Sequence, residues 1–326
     1  MPAAGFKRRI RLVVIATACI VAASVLTACG DIKSSSSSSS GSSTSASTGS
    51  SSASSASSTT PASLVPEDIR SSGKLVVGTN IPYPPMEFFG PDGQTFEGVD
   101  VELIEAIAEG LELEPELINS SYDGLIPSVV SGRLDVIISG MGDFTDREKQ
   151  LDFVDYVKTG SEVMMSKEAA AKANSLLDLC GMSIGVQAGT DQVAATEEES
   201  KRCEAAGKPP LKVETFPEDS DALLAQKSGR VELHAADAPV VAYEAATIDG
   251  GKRFVAKFPN FLSTPIDYGI GVSKDQEGLA EAIRDQLNVM IEDGTYGKIL
   301  AKYHLQELAV PKAVINGATV SSTGVE

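Results

Sequence analysis

Residues 122–156 read YDGLIPSVVSGRLDVIISGMGDFTDREKQLDFVDY, and the reading of this stretch decides the fold. Leu125, Ile126, Val129 and Val130 recur at helical spacing, and Gly132 stops that helix. Leu134–Ser139 is a short apolar run with three β-branched residues, which suits a strand buried on both faces. Gly140, Met141 and Gly142 then bring the backbone to an exposed bend, and Thr145 opens a second helical turn. Thr145 and Glu148 have capping-box spacing, which places Arg147 near a helix N-terminus at the mouth of the strand. Ligands of open α/β sheets gather at the carboxyl ends of the strands. An arginine there, beside free amides, is suited to grip a carboxylate through two parallel hydrogen bonds. The bland alternative is a surface arginine on a capped helix.

Outward from this stretch, strand and helix patterns alternate. Strands are expected at Lys74–Thr79, Met182–Gln187, Leu211–Phe216, Val231–Ala236, Arg253–Phe258 and Tyr268–Ser273. Val101, Ile104, Ile107, Ala108 and Leu111 give one helix its buried stripe, and further helices fit Ser220–Ser228, Ala238–Ala246 and Gly278–Glu292. Such alternation implies an α/β fold with largely parallel sheets covered on both faces. A chain of 326 residues, 42% hydrophobic, has material for about two domains. Its net charge of −18 argues against a nucleic-acid partner.

The N-terminus has the form of a targeting segment. Lys7, Arg8, Arg9 and Arg11 are its basic part, and Leu12–Leu26 is an apolar run too short for a stable membrane span. Leu26-Thr27-Ala28-Cys29 resembles a bacterial lipobox, in which the cysteine is lipidated and becomes the first residue. Removing residues 1–28 deletes four cations and no acids, which takes the net charge from −18 to −22. Residues 29–61 are the lipidated cysteine and a Ser-rich flexible tether, since they carry too little apolar surface to offset the entropy of ordering.

YDGLIP, SGRLDVIISGM, the Thr145-x-Arg147 that follows, and LDFVDY together resemble the core signature of family 3 extracellular solute-binding proteins, the amino-acid receptors of ABC importers. The resemblance runs from about Leu64 to about Leu308. It implies a two-lobed, periplasmic-binding-protein-like fold with two hinge-crossing strands, near Val157–Ser161 and Leu262–Asp267. Lobe one would be residues 62–158 plus 268–310, lobe two 159–267, and 311–326 a flexible C-terminal tail. The implied partners are a polar amino acid, an ABC permease with its ATPase, and the membrane through the lipid on Cys29. The chain would work as a monomer on the outer face of the bacterial cell membrane, without metal, cofactor or catalytic residues.

The same resemblance supplies a ligand set. Arg147 takes the α-carboxylate, helped by the amides of Gly140 and Gly142, the latter standing where many relatives have Ser or Thr. Thr190, in Gln187-Ala188-Gly189-Thr190, meets the carboxylate from lobe two, and can also cap a helix. Asp237, in Ala236-Asp237-Ala238-Pro239, takes the α-ammonium, and can equally be an N-cap. Tyr83, within the proline-rich segment 81–88, covers the ligand side chain, with Asn80 and Leu125 as further wall candidates. Asp155-Tyr156 departs from the family's Asp-Pro-Tyr at the first crossing. In an oxidising compartment Cys180 and Cys203 pair, a closure worth roughly 3 kcal/mol in the chain-entropy model, and the alternative is two buried thiols.

Readings of other classes are a lyase of the dehydratase type acting on a small organic acid, and a sensory lipoprotein that feeds no transporter. Gly181-Met182-Ser183-Ile184-Gly185 matches G-x-S-x-G, but a nucleophile elbow needs a strand before it and a helix after it. His234 and His304 are the chain's histidines, and neither has the context of a triad.

Overall fold

The computed structural model of the chain describes residues 60–259, 261 and 265–323. The signal segment 1–28, Cys29, most of the tether and part of the second crossing lie outside the described residues.

Ten strands build two sheets: β1 Lys74–Thr79, β2 Glu114–Asn119, β3 Val136–Ile137, β4 Leu151–Thr159, β5 Ser161–Ser166, β6 Ser183–Gln187, β7 Lys212–Phe216, β8 Leu233–Asp237, β9 Phe254–Lys257 and β10 Ile266–Ser273. The first sheet has the order β2-β1-β3-β10-β4 and the second β9-β5-β8-β6-β7. In each, two neighbouring pairs are parallel and two antiparallel, with one strand, β10 in the first sheet and β5 in the second, running against the other four, so the sheets are mixed rather than wholly parallel. The antiparallel strands are those that meet at the crossings. β4 runs through Gly160 straight into β5, and β10 lies antiparallel to β4 with Ile266 opposite Thr159. A salt bridge of 2.9 Å from Lys158 to Asp267 ties the two crossing segments side by side. The register shifts at Tyr156, which has no partner between Val157↔Tyr268 and Asp155↔Gly269; this bulge sits where the family's proline is missing.

Helices α1 Val99–Gly110, α2 Tyr122–Val130, α3 Asp191–Ala205, α4 Asp219–Ser228, α5 Ala238–Thr247, α6 Leu279–Asp293 and α7 Thr295–Lys302 cover the sheets. The stripe of α1 is buried as its spacing predicts, through Val101, Leu103, Ile104, Ile107 and Ala108. Together with β1, β10 and α6 it forms the main core. A second core lies in the other sheet around Val163, Met165, Ile184, Val186 and Leu233. Gly78 in β1 has no room for a Cβ, because Leu134 and Leu125 pack directly onto its backbone. Within the second sheet Cys180 is disulfide-bonded to Cys203 of α3, with Cα atoms 5.6 Å apart. Reduction is expected to lower stability to denaturant by about 3 kcal/mol.

Residues 311–323 depart from the flexible tail expected of them. β4 is the edge of the first sheet and leaves a row of unpaired backbone groups. The C-terminal segment covers that edge: Asp155 N donates to Val314 O (2.9 Å) and Asn316 N to Phe153 O (2.9 Å). Further along, Thr145 N donates to Val320 O (3.0 Å), and Ser322 N to Asp146 Oδ1 (2.7 Å). Truncation after Val310 is expected to lower the melting temperature by several degrees, as these bonds and the burial of Ala313 are lost.

Candidate functional site

The carboxyl ends of β1 and β3 face those of β6 and β8 across one pocket. It is lined by Asn80, Tyr83, Glu87, Tyr122, Ser139, Gly140, Gln187, Thr190, Gln192 and Asp237, which leave little free space between them. Both sheets contribute, so the pocket exists only where the two meet.

Tyr83 and Asp237 join across it. The Tyr83 hydroxyl donates to Asp237 Oδ2 (2.8 Å) and accepts from Asp237 N (3.1 Å). Asp237 Oδ1 accepts from Ser161 Oγ (3.2 Å) and Gln192 Nε2 (2.9 Å). Asp237 stands at the N-cap position of α5, but its side chain makes no cap bond and turns to the pocket instead. Burial, and then the charge of Asp191, push its carboxyl up to about 7. Thr190 precedes α3 and lines the pocket, but its hydroxyl donates back to Gln187 O (2.8 Å) rather than capping the helix. Asn80 is a second cross-cleft tie: it accepts from Gln187 Nε2 (2.8 Å) and donates to Glu218 Oε2 (2.8 Å).

Arg147 is buried behind this wall, 6% exposed. Its Nη1 donates to Gly142 O (2.9 Å), and its Nη2 crosses to Gly189 O (3.3 Å) in the other sheet. The guanidinium lies 5.0 Å from the Phe144 ring centroid and 6.0 Å from that of Tyr122. Burial works against its charge, but Tyr122 and Asp191 outweigh burial and the pKa rises. The expected helix opening at Thr145 is absent. Residues 145–150 form hydrogen-bonded turns, and Thr145 N and the Glu148 carboxylate, donor and acceptor of one of the two bonds of a capping box, are both engaged by the C-terminal segment instead. Arg147 therefore has turn amides and a packed loop around it, not a helix terminus.

Gly140 lines the pocket at φ +49°, and its amide is held by Asp100 (2.7 Å) at the start of α1. At Gly142 a Cβ would stand 2.5 Å from the Phe144 ring, so any side chain there would have to displace that ring. Leu125 is not part of the wall. It is fully buried with Val129, Leu134, Ile137 and Phe153, because its face of α2 turns to the first sheet. Three residues earlier Tyr122 supplies the wall, and with Glu87, Ser139, Gln187 and Gln192 it is what sequence reasoning missed. Tyr122 opens the YDGLIP motif, and its position at a helix start was the available signal.

Glu87 is fully buried; its Oε1 accepts from Ser139 Oγ (2.7 Å), while its Oε2 has no partner. Burial and the neighbouring Asp100 push its carboxyl well above the usual range, and burial brings Asp100 to about 7. The pocket is thus lined by the acids Glu87 and Asp237, with Arg147 buried beside Tyr122 outside the lining.

A separate cluster lies in the second sheet. Asp219, His234 and Glu244, all buried, bring one potential ligand atom each within 4.8 Å of the others. His234 Nε2 is 2.9 Å from Asp219 and Nδ1 is 3.4 Å from Glu244. Burial opposes the ring's charge, but the two acids override it and hold the imidazolium pKa up to about 10. An ion pair of this kind carries its own cation. Ser183 of the G-x-S-x-G match lies in β6 against Glu232, with no helix after it, so it is no nucleophile elbow.

Comparison with known proteins gives a consistent picture. The family model of bacterial extracellular solute-binding proteins, family 3, matches residues 75–306. The arginine-binding protein ArgT of Corynebacterium glutamicum is 31% identical over 259 residues, which are 78% of this chain and 82% of that protein. A crystal structure of the ancestral amino acid-binding protein AncCDT-1, a precursor of cyclohexadienyl dehydratase, superposes with a TM-score of 0.65 at 30% identity, covering 72% of this chain and 97% of that one. An ancestral arginine-binding protein bound to arginine is 34% identical with a TM-score of 0.61, covering 71% and 98%. The two-sheet architecture, the cross-cleft pocket and the family match over most of the chain lead to one assignment: the chain belongs to the family 3 bacterial extracellular solute-binding proteins.

Proposed function

We propose that the chain is the receptor of an amino-acid ABC importer, and that its ligand is an amino acid with a cationic side chain, of the arginine class. The supporting observation is the pocket itself, in which Tyr83 and Asn80 from one sheet meet Asp237 and Gln187 from the other. In this reading Arg147 and the Gly140 and Gly142 backbone take the carboxylate, Asp237 takes the ammonium, and Tyr83 and Tyr122 flank the side chain. The unpartnered Glu87 oxygen and the Asn80–Glu218 pair meet its positive end. A ligand touching both sheets binds the closed form more tightly and so shifts the hinge equilibrium. The closed form then docks on a permease, and lipidation at Cys29 keeps the receptor at the membrane. No described helix is long and apolar enough to cross a membrane. The chain has no catalytic role in this reading.

Calorimetric titration with arginine, lysine, histidine, cystine, glutamine and prephenate-like diacids tests the assignment. Submillimolar binding of arginine or lysine with no turnover is expected; binding of the diacids alone would overturn it in favour of the lyase reading. Affinity also has a signed pH dependence. Asp237 must be ionised to hold an ammonium, and its carboxyl sits at about 7, so binding releases a proton below that pH. The dissociation constant is expected to rise as pH falls from 7 to 5, by up to about tenfold per unit. A flat profile would remove Asp237 as the ammonium partner.

A further inference from the structure

Arg147 sits in the loop between β3 and β4, and the loop's own backbone bonds around it are those of turns. Glu148 N donates to Phe144 O (2.9 Å), and Gln150 N and Leu151 N both donate to Arg147 O (2.9 and 3.1 Å). A loop held by local turn bonds alone opens readily, which would leave the guanidinium poorly fixed.

A second hold comes from the far end of the chain, and it grips the loop on both sides of Arg147. Two residues before it, Thr145 N donates to Val320 O (3.0 Å). Immediately before it, Asp146 accepts three bonds: Oδ1 from Ser321 Oγ (3.0 Å) and Ser322 N (2.7 Å), and Oδ2 from Ser322 Oγ (2.6 Å). Immediately after it, Glu148 Oε1 accepts from Ala318 N (3.1 Å). Burial opposes the Asp146 charge, but the bonds from Ser322 and Ser321 outweigh it and hold the carboxyl below its ordinary value. Val320 packs on the main core and anchors the segment from below. Val314 and Asn316 cover the edge of β4, so the C-terminal segment has two separable parts, one on the sheet and one on the loop. The second part lies beyond residues 75–306, the stretch that matches the family model, and none of its residues lines the pocket.

We propose that residues 318–322 are a positioning strap for Arg147. By fixing the loop on either side of it, they hold the guanidinium in place for the ligand carboxylate, and affinity depends on them although they never touch ligand. A cation fixed in the free protein loses less freedom when ligand arrives, and that difference appears as affinity. The inference rests on the receptor reading above, in which Arg147 takes the carboxylate.

The test uses a chain ending at Ala318, which loses the bonds to Thr145 and Asp146 but keeps the cover of β4. Its dissociation constant for arginine, by calorimetry, is expected to rise about tenfold, the factor of one hydrogen bond to a charged group. In the ligand-free protein the amides of Glu148, Gln150 and Leu151 should exchange hydrogen about tenfold faster, with those of β1 and β10 unchanged. A role confined to general stability would not produce that local pattern. Within the full chain, Asp146→Ala should behave like the truncation, and Asp146→Asn, which keeps an acceptor without the charge, should recover most of the affinity. Unchanged affinity in the truncated chain, with wild type binding arginine, would overturn the strap. So would an affinity loss accompanied by faster exchange throughout β1 and β10. If wild type does not bind arginine the receptor reading falls instead, and unchanged exchange in the loop would then overturn the strap independently.

Discussion

Arg147→Ala is expected to weaken amino-acid binding by about two to four orders of magnitude, with the fold intact. In the structure its guanidinium already spans the cleft, bonded to Gly142 O on one side and Gly189 O on the other. A ligand carboxylate entering beside it would exchange those neutral acceptors for a charged, bidentate one. Each charge-assisted bond is worth about 1.5–3 kcal/mol, so losing two gives the stated factor. Arg147→Lys keeps the charge but not the planar fork, and should recover only part of the affinity. Calorimetry on both variants, with circular dichroism as the control for folding, separates these cases. Binding by Arg147→Ala within about fivefold of wild type would show that the carboxylate is held elsewhere.

The second large effect falls on stability rather than binding. Leu125→Ala should destabilise the protein by about 3–5 kcal/mol, because the side chain is fully enclosed and its neighbours are fixed by the sheet. Leu134 rests on Gly78 beside it and leaves little freedom for collapse into the cavity. Affinity measured well below the unfolding transition should change by less than about threefold, since Leu125 does not line the pocket. Tyr122→Ala, on the same helix, should do the reverse: lost affinity with a smaller stability change. Denaturant titration and calorimetry on the pair decide the matter. An affinity loss in Leu125→Ala larger than that of Tyr122→Ala would return Leu125 to the pocket wall.

This pair also marks where sequence reading reaches its limit. The motif YDGLIP announces an element of the cleft, and helical periodicity says which residues share a face. Tyr122 and Leu125 share the one buried face of this short helix, and periodicity does not say which part of that face meets the pocket and which meets the sheet. The same ambiguity holds at Thr145 and Glu148. Their spacing is that of a capping box, but the Thr145 amide and the Glu148 carboxylate, which would bond each other there, are taken by Val320 O and Ala318 N, far away in sequence. Local preference yielded there to long-range partners that no window of residues contains.

Other features were local and could be read directly. The strand Lys74–Thr79 has the bounds its pattern predicts, and α5 begins where Asp237-Ala238-Pro239 says a helix should. The pairing of Cys180 with Cys203 agrees with an extracellular reading of the cysteines. Tyr83, Asn80, Gly140, Thr190 and Asp237 come together in one pocket, from segments whose motifs were recognisable one at a time.

By itself, then, the sequence determined the alternation of strands and helices, the family motifs and the polar groups at strand ends, because these rest on periodicity and on neighbours a few residues apart. Only the tertiary structure decided that Arg147 sits in a turn and bridges two sheets, that Leu125 is core, and that residues 311–323 cover the edge of β4. It alone set the His234 ring between Asp219 and Glu244. The physical reason is common to all of these. Burial, pairing and charge balance depend on which distant segments the crossing strands bring together, and that choice is made by the packing of the whole chain.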